Sequence, residues 1–266
     1  MKKFIKIVMV IILLVSFNAK SQVTINPDDP GNATNPIDRK NVTAKDFLWM
    51  GELHNKVLDD FYKNSNEDFK DLDLLSEYIT NQLGIYQKHE GYELTYNYTK
   101  EYLSKESYSR PFTQYIKVNI NPTIQNYFLE YENIIYSKSL NLQQKINNII
   151  NLENEVEASG MPKEWKLVFF TGTSIGKSSI SYWYDNYTKW ERDSHFSNNK
   201  VANSSGPILD IIGADIAGGI GAAVVAWIIN VVPGWGQIGY GAAIVGGAVG
   251  SSVTTAVTHL WDWIWE

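Results

Sequence analysis

Apolar residues recur at intervals of three and four along much of the chain, which is the period of an amphipathic α-helix. This pattern starts after Thr43, which can cap a helix, and returns over residues 71–89. It is clearest after Asn121 and Pro122, a cap residue followed by a proline at a position that needs no N–H. A fourth amphipathic run covers residues 141–158. These runs predict an all-α fold, built as a bundle of helices.

Two segments fit the helical pattern less well. Alternate positions of residues 92–98 are apolar or aromatic, as in a strand, although helices are predicted on both sides and no partner strand is evident. Residues 164–184 fit either a strand hairpin or a helix with small residues along one side. We favour the helix for the second segment, because the surrounding domain is helical.

The least usual pattern lies in the C-terminal part of the sequence. From Ile216 to Thr258 the chain runs 43 residues without Asp, Glu, Lys or Arg, and ten of these residues are glycine. An element at a protein surface turns one face to water and normally carries charge there. A run of this length is therefore expected to be fully buried or to lie in lipid.

Small residues divide this run into two packing arms. The segment from Val232 to Gly236 contains a proline and two glycines, which break the run into two predicted helices. In each helix small residues lie four apart, a spacing that lets another helix approach to backbone contact. The sequence therefore predicts an antiparallel glycine-zipper hairpin over residues 206–266. The small residues of its packing faces are Ala214, Gly218, Ala222 and Ala226 in the first arm, and Gly239, Ala243, Gly246, Gly247 and Gly250 in the second.

Tryptophans mark both ends of the predicted hairpin. Trp235 lies in the turn, and Trp261, Trp263 and Trp265 follow the second arm. Indole rings concentrate at bilayer interfaces, where the apolar ring and its single N–H are both satisfied. This placement favours a hairpin that associates with membrane lipid.

Two acidic residues argue against a simple membrane span. Asp210 and Asp215 lie in the first arm and leave 16 uncharged residues from Ile216 to Val231. A spanning helix needs about 20 apolar residues, and only the second arm, over residues 237–258, reaches that length. The alternative is a Gly/Ala-rich hairpin packed dry against the helical domain. The sequence leaves both interpretations open.

The N-terminal residues have the anatomy of a secretory signal peptide: lysines, then a short apolar run, then small residues up to Ser21. Residues 1–21 are therefore expected to be removed on export to the periplasm, the cell envelope or the medium. Residues 22–42 are rich in Pro, Asn, Asp and Gly, which predicts a flexible tether. A helical domain over residues 43–200 and the hairpin over residues 206–266 complete the predicted organisation.

Composition removes several classes of function. The chain has no cysteine, so it has no disulfides and no thiolate chemistry. Without the signal peptide, 19 basic residues face 29 acidic ones, a balance of −10. Such a surface repels phosphate backbones, so we expect no nucleic-acid partner. Any contact with lipid must be driven by apolar surface rather than by charge.

Candidate chemistry is limited to one polar pair on the first predicted helix, His54 and Asn55. His54 could be a proton shuttle or a metal ligand, or a core histidine hydrogen-bonded to a neighbouring helix. A metal site needs several ligands on one face, which favours the core histidine. Residues 172–178 look like a phosphate-binding loop, but three residues rather than four separate the two glycines. We therefore expect no enzyme activity and no metal, nucleotide or other cofactor.

Two short motifs and the tail carry a resemblance to known proteins. The motifs are Gly51-x-x-His54-Asn55-x-x-Leu58 and Ser178-Ser179-Ile-Ser-Tyr-Trp183. Together with the signal peptide they resemble uncharacterised secreted proteins from Bacteroidetes-type bacteria, a likeness that implies no established activity. The Gly/Ala-rich tail is similar to the glycine-zipper regions of class II bacteriocins, which implies membrane permeabilisation. This chain departs from that class in its export signal and its large helical domain.

Two functions are consistent with these patterns. In the first, the chain is an exported non-enzymatic protein whose hairpin associates with or inserts into a membrane, as a toxin-like protein would. Its small-residue faces would then also bind further copies of the chain. In the second, it is a soluble envelope protein with a structural or partner-binding role, and the hairpin completes its own core.

Overall fold

The structure, a computed structural model, describes residues 42–64, 72–83, 92–104, 121–192, 206–230 and 237–260. Within these ranges the chain is helical and contains no strand, so the all-α prediction is confirmed. A short 3-10 turn over Ala44–Phe47 precedes the first helix. The helices are α1 (Leu48–Asn64), α2 (Leu72–Gln82), α3 (Tyr92–Leu103), α4 (Pro122–Tyr136), α5 (Leu142–Ala158), α6 (Lys163–Arg192), α7 (Gly206–Asn230) and α8 (Gln237–Leu260).

Local sequence signals account for several helix boundaries. The side chain of Asn121 accepts a hydrogen bond from the backbone N of Thr123 at 2.9 Å, and Pro122 begins α4 as predicted. Asn141 and Gln144 exchange side-chain-to-backbone hydrogen bonds of 2.9 Å at the start of α5, a reciprocal capping box. The predictions for α4 and α5 are confirmed. Helix α2 covers Leu72–Gln82 of the predicted residues 71–89, and residues 71 and 84–89 lie outside the described ranges.

The two difficult segments are both helical. Residues 92–98 lie in α3, where Tyr92 and Tyr96 stack at 5.8 Å between ring centroids because residues four apart share a helix face. The alternation in this segment is therefore not that of a strand. Residues 164–184 lie within the 30-residue helix α6, as favoured from the sequence.

The hairpin, formed by α7 and α8, lies at the centre of the bundle. Helix α7 packs against α8, α6 and α4, while α8 also packs against α3, α1 and α2. All side chains over residues 211–223 and 244–255 are buried. We call α1–α6 the shell, because their apolar faces join the hairpin in one hydrophobic core. Regions predicted as two separate parts of the chain thus share a core.

Each face of α7 packs against a different neighbour. On the small-residue face, a Cβ added to Gly218 would collide with the carbonyl oxygen of Gly247 and with the Ser251 hydroxyl of α8. The isoleucine face turns to α6, where a Cβ on Gly172 would lie 2.8 Å from Cγ1 of Ile220. Backbone contact on one side and interlocking side chains on the other hold α7 in place.

The small residues of α8 form two seams at intervals of four, one through Gly247 and a second through Gly246 and Gly250. The second seam faces the shell rather than α7. A Cβ on Gly246 would lie 2.5 Å from Oγ1 of Thr99 and 3.5 Å from Cγ2 of Thr95, both on α3. The two seams of the predicted glycine zipper therefore bind two different helices of the same chain.

Some predictions fall on residues outside the described ranges. These are the signal peptide over residues 1–21, the tether up to residue 41, the break at residues 232–236 and the four tryptophans at positions 235, 261, 263 and 265. Ala226, Gly239 and Ala243 lie in the described helices α7 and α8, but only their backbone is described. Within the described residues, no helix combines the length and apolar character needed to cross a bilayer.

Candidate functional site

A fully buried carboxylate lies at the junction of three helices. The Oδ2 atom of Asp215 on α7 accepts hydrogen bonds from the Ser179 hydroxyl at 2.5 Å and from the Trp183 indole at 3.1 Å, both on α6. The same atom lies 3.5 Å from Nε2 of His54 on α1. His54 and Asp215 are both 0 % exposed. We refer to these residues, with Asn55, as the buried polar cluster.

Close approach of α1 and α6 positions the cluster. A Cβ on Gly51 would collide with the Ser178 hydroxyl, so α1 can come this near to α6 only with glycine at that position. The side-chain amide of Asn55 donates to the carbonyl oxygen of Ser178 at 3.0 Å. These contacts set the position of α1 along α6, and with it the place where His54 faces the hairpin.

Two buried polar atoms in the cluster have no hydrogen bond. Nε2 of His54 and Oδ1 of Asp215 are buried and lack a hydrogen-bond partner among the described residues. On its other side, Nδ1 of His54 lies 3.0 Å from Oδ1 of Asn55. The cluster is therefore held together through one carboxylate oxygen, Oδ2 of Asp215.

The connectivity of the cluster differs from that of a hydrolytic triad. In a triad the serine hydroxyl donates to the histidine, which takes up its proton when the serine attacks a substrate. Here the Ser179 hydroxyl donates to the carboxylate of Asp215. Among the described residues no three His, Cys, Asp or Glu side chains are grouped as metal ligands. What this geometry does is tie the hairpin to α1 and α6.

A second polar feature, the hydroxyl seam, lies where α8 meets α3. We define it by Thr95 and Thr99 on α3, which lie against Gly246 of α8, are buried, and have hydroxyls with no hydrogen-bond partner in the described chain. Thr254 nearby donates to the carbonyl oxygen of Leu103 at 3.4 Å. Buried hydroxyls without partners cost free energy, so α8 is held to α3 less strongly than by an apolar face.

Two lysines of the shell are paired with groups of the shell itself. Lys177 on α6 pairs with Glu153 on α5 at 2.6 Å, and both are largely buried. The Lys145 ammonium donates to the carbonyl oxygens of Ile134, Ile135 and Ser137 at the end of α4. Burial lowers the pKa of Lys145 to about 8.

The structure brings some of the sequence-predicted residues together. Gly218 and Gly247 meet in the contact between the two arms, and Gly246 meets α3. Ala214, Ala222 and Gly250 are buried in the same two helices. His54 is a core histidine that contacts a neighbouring helix. Residues 172–178 are helical, and their glycines make room for neighbouring helices rather than forming a loop.

Sequence reasoning missed three members of the cluster. In the sequence Ser179 and Trp183 stand out only as part of a motif, and Asp215 only as an obstacle to a membrane span. A charge inside an uncharged apolar hairpin needs a buried partner, and His54 lies in the apolar stripe of α1. That pair of facts was the available signal.

Comparisons of this chain with protein-family models, with curated proteins and with solved structures gave no match. The resemblance to secreted Bacteroidetes-type proteins and to bacteriocin tails stays a prediction. The two motifs on which the first resemblance rests meet in the fold. Gly51 and Asn55 contact Ser178. His54 approaches the Asp215 carboxylate, to which Ser179 and Trp183 donate hydrogen bonds.

Proposed function

We propose that this chain is an exported, non-enzymatic protein that stores a glycine-zipper hairpin inside a helical shell and delivers it to a membrane. The observation that carries the proposal is the contact between Gly218 and Gly247, where the two arms approach to backbone distance without any shell residue between them. The hairpin therefore has a packing interface of its own. Small-residue contacts of this kind also hold helices together in lipid.

Transfer of such a hairpin exchanges one apolar environment for another. In the bundle, the outer faces of α7 and α8 pack on apolar side chains of the shell. In a bilayer the same faces would contact acyl chains, so most of the hydrophobic burial is retained. The polar groups set the cost: on insertion scales a central Asp costs roughly 2.5–3.5 kcal/mol. Asp215 precedes the uncharged run, so it can remain near the interface.

The second seam of α8 supports self-association after release. In the stored state Thr95 and Thr99 of the shell cover this seam at Gly246. Once the hairpin leaves the shell, this surface is free to bind α8 of another copy. A homo-oligomer through these faces would give the toxin-like assembly that the sequence suggests.

A soluble envelope protein is the second candidate, and one observation favours it. The shell and the hairpin interlock closely, since Gly172 accommodates Ile220, Gly176 lies against Ile216, and Gly219 lies against Ile175. Such a fit is what a permanent core requires. In this case the protein would have a structural or partner-binding role with the hairpin as its centre.

A reversible crosslink separates the two functions. The chain has no cysteine, so the substitutions Gly172→Cys and Ile220→Cys introduce the only two thiols, at positions in direct contact between α6 and α7. The exported protein is added to phosphatidylcholine vesicles filled with a fluorescent dye. Under the membrane proposal, oxidation abolishes dye release and co-flotation with vesicles, and reduction restores both.

The matched control joins two shell helices and leaves the hairpin free. The pair Glu153→Cys and Lys177→Cys lies at an existing contact between α5 and α6. Because the long side chains that it replaces meet at their tips, the pair is joined by a short reducible bis-maleimide linker rather than by a direct disulfide. The linked form is expected to release dye as the wild type does. If the wild type and all reduced variants leave the vesicles intact and remain unbound, the membrane proposal is wrong and the soluble envelope role is favoured.

A further inference from the structure

We infer that His54 and Asp215 form a buried imidazolium–carboxylate pair, and that this pair is the latch that keeps the hairpin in the shell. The pair itself follows from the geometry of the cluster. Its role as a latch rests on the proposed function, because a latch has meaning only for a hairpin that leaves.

The hydrogen bonds of Asn55 determine where one ring proton lies. The Asn55 amide nitrogen donates to the Ser178 carbonyl oxygen, which leaves the amide oxygen facing Nδ1 of His54 at 3.0 Å. An amide oxygen only accepts hydrogen bonds. Nδ1 must therefore carry a proton, and in a neutral ring Nε2 would then be an unprotonated acceptor.

That arrangement would set two acceptors against each other. Nε2 of His54 faces Oδ2 of Asp215 at 3.5 Å, and both are fully shielded from water. Two lone pairs at this distance repel in a medium of low dielectric constant. A second ring proton on Nε2 removes the repulsion and balances the carboxylate charge. Oδ2 also accepts from Ser179 and Trp183, which suits an ionised carboxylate.

The position of the pair makes it a latch. Among the hairpin side chains that the structure describes, Asp215 is the charged one that is fully buried. Through one oxygen atom it joins α7 to α1 and to α6. A buried charge that loses its partner is strongly unfavourable. Opening the contact between α1 and α7 therefore drives Asp215, and α7 with it, out of the shell.

Nitrogen-15 NMR of the exported protein tests the ion pair without any membrane. At pH 7 both ring nitrogens of His54 are expected to be protonated in the wild type, with the signal assigned by its loss in His54→Gln. In Asp215→Asn the ring is expected to be neutral. A neutral His54 ring in the wild type would overturn the ion pair whatever the protein does to vesicles.

Hydrogen exchange of hairpin amides and dye release from the same vesicles test the latch. His54→Gln leaves the Asp215 carboxylate unpaired and is expected to raise the rate of hairpin amide exchange and the rate of dye release by at least tenfold each. In His54→Gln/Asp215→Asn no charge is left unpaired, so part of this increase should be lost. If neither His54 variant folds, as judged by circular dichroism, Asp215→Asn alone must still raise hairpin exchange.

Lys177→Gln is the matched control, because it strands the carboxylate of Glu153 between two shell helices. It should destabilise the bundle but leave hairpin exchange less than threefold above the wild type. Equal acceleration by His54→Gln and Lys177→Gln would refute the latch. A third outcome is that His54→Gln raises hairpin exchange tenfold while neither the wild type nor any variant releases dye. In that case the proposed function fails and the ion pair stands.

Discussion

Single glycines decide how closely the helices of this protein approach. Gly218 has no room for a side chain, whereas an added Cβ on Gly160, just after α5, would meet nothing within 4 Å. The two positions have the same residue and opposite surroundings. They therefore form a natural comparison for the contribution of close packing.

Gly218→Ala is expected to destabilise the protein by about 1–3 kcal/mol, because its methyl group overpacks the contact with Gly247 and Ser251. Alanine is the better helix former by about 1 kcal/mol, so a loss of stability cannot come from helix propensity. Urea unfolding measures the effect. Gly160→Ala should stay within about 0.5 kcal/mol of the wild type. A stabilised Gly218→Ala protein would contradict the packing of α7 on α8.

Lys145 gives stability a pH dependence. Burial lowers its pKa from 10.5 to about 8, so between these values the unfolded chain binds more protons than the folded one. The contribution of Lys145 to the free energy of unfolding therefore rises with pH across this window, by at most about 1.4 kcal/mol per pH unit.

Urea unfolding of the wild type and of Lys145→Met from pH 7 to 9.5 measures this contribution. The wild type should gain stability relative to the variant as the pH increases. Burial raises the pKa of Tyr131 and Tyr182, which lowers the stability of both proteins above about pH 10, so the comparison stops below it. A constant difference across the range would contradict a buried ammonium.

Residue-level chemistry was the part of this protein least accessible from sequence. The periodicity of α1 places His54 on an apolar face, but the partner, Asp215, is supplied by a helix far along the chain. Sequence spacing reports which residues share a helix. It does not report which helices meet, so the cluster appears only when α1, α6 and α7 are packed together.

At the scale of helices, the hydroxyl seam makes the contact between α3 and α8 a weak one. Thr99 is 0 % exposed and its hydroxyl has no partner within the described chain. Thr254, on the same helix pair, has a carbonyl acceptor. Replacing each threonine by valine keeps the shape of the side chain and removes the hydroxyl.

Thr99→Val is expected to stabilise the protein by about 1 kcal/mol, because it removes a buried polar group that lacks a partner. Thr254→Val should instead lose about 0.5–1.5 kcal/mol with its hydrogen bond. Thermal unfolding followed by circular dichroism measures both. Under the proposed function, Thr99→Val also slows dye release from vesicles. Destabilisation by Thr99→Val would show that its hydroxyl is satisfied in solution.

The helices themselves were largely predictable. Apolar spacing and cap residues placed α4 and α5, and the small-residue pattern placed both arms of the hairpin. Residues 92–98 could not be assigned from the sequence with the same ease. Tyr92 and Tyr96 are four apart, a spacing that fits one face of a helix and also the alternation of a strand. The sequence also does not show which helix packs on each glycine seam of α8. Both seams have the same four-residue spacing, yet one packs on α7 and the other on α3.

At the scale of the whole molecule, the hairpin supplies the centre around which the shell packs. The shell helices α1, α2, α3, α4 and α6 all contact α7 or α8. Their apolar faces would be exposed to water if the hairpin were absent. The domain predicted over residues 43–200 is therefore not expected to fold alone.

A chain that ends at residue 205 is expected to lose cooperative unfolding and to bind a hydrophobic dye, because its helices lack a common core. Near-ultraviolet circular dichroism and dye fluorescence measure both properties. Adding the hairpin segment, residues 206–266, as a separate chain should restore part of the signal. A cooperative transition in the truncated chain would show that the shell has a core of its own.

The order of the elements along the chain has a consequence for biosynthesis. Translation produces α1–α6 before α7 and α8, so the shell is synthesised before the hairpin around which it packs. Until the hairpin emerges, the shell helices have no common core on which to fold, which under the proposed function keeps the nascent polypeptide competent for export. Prematurely terminated copies would lack this core and be open to proteases.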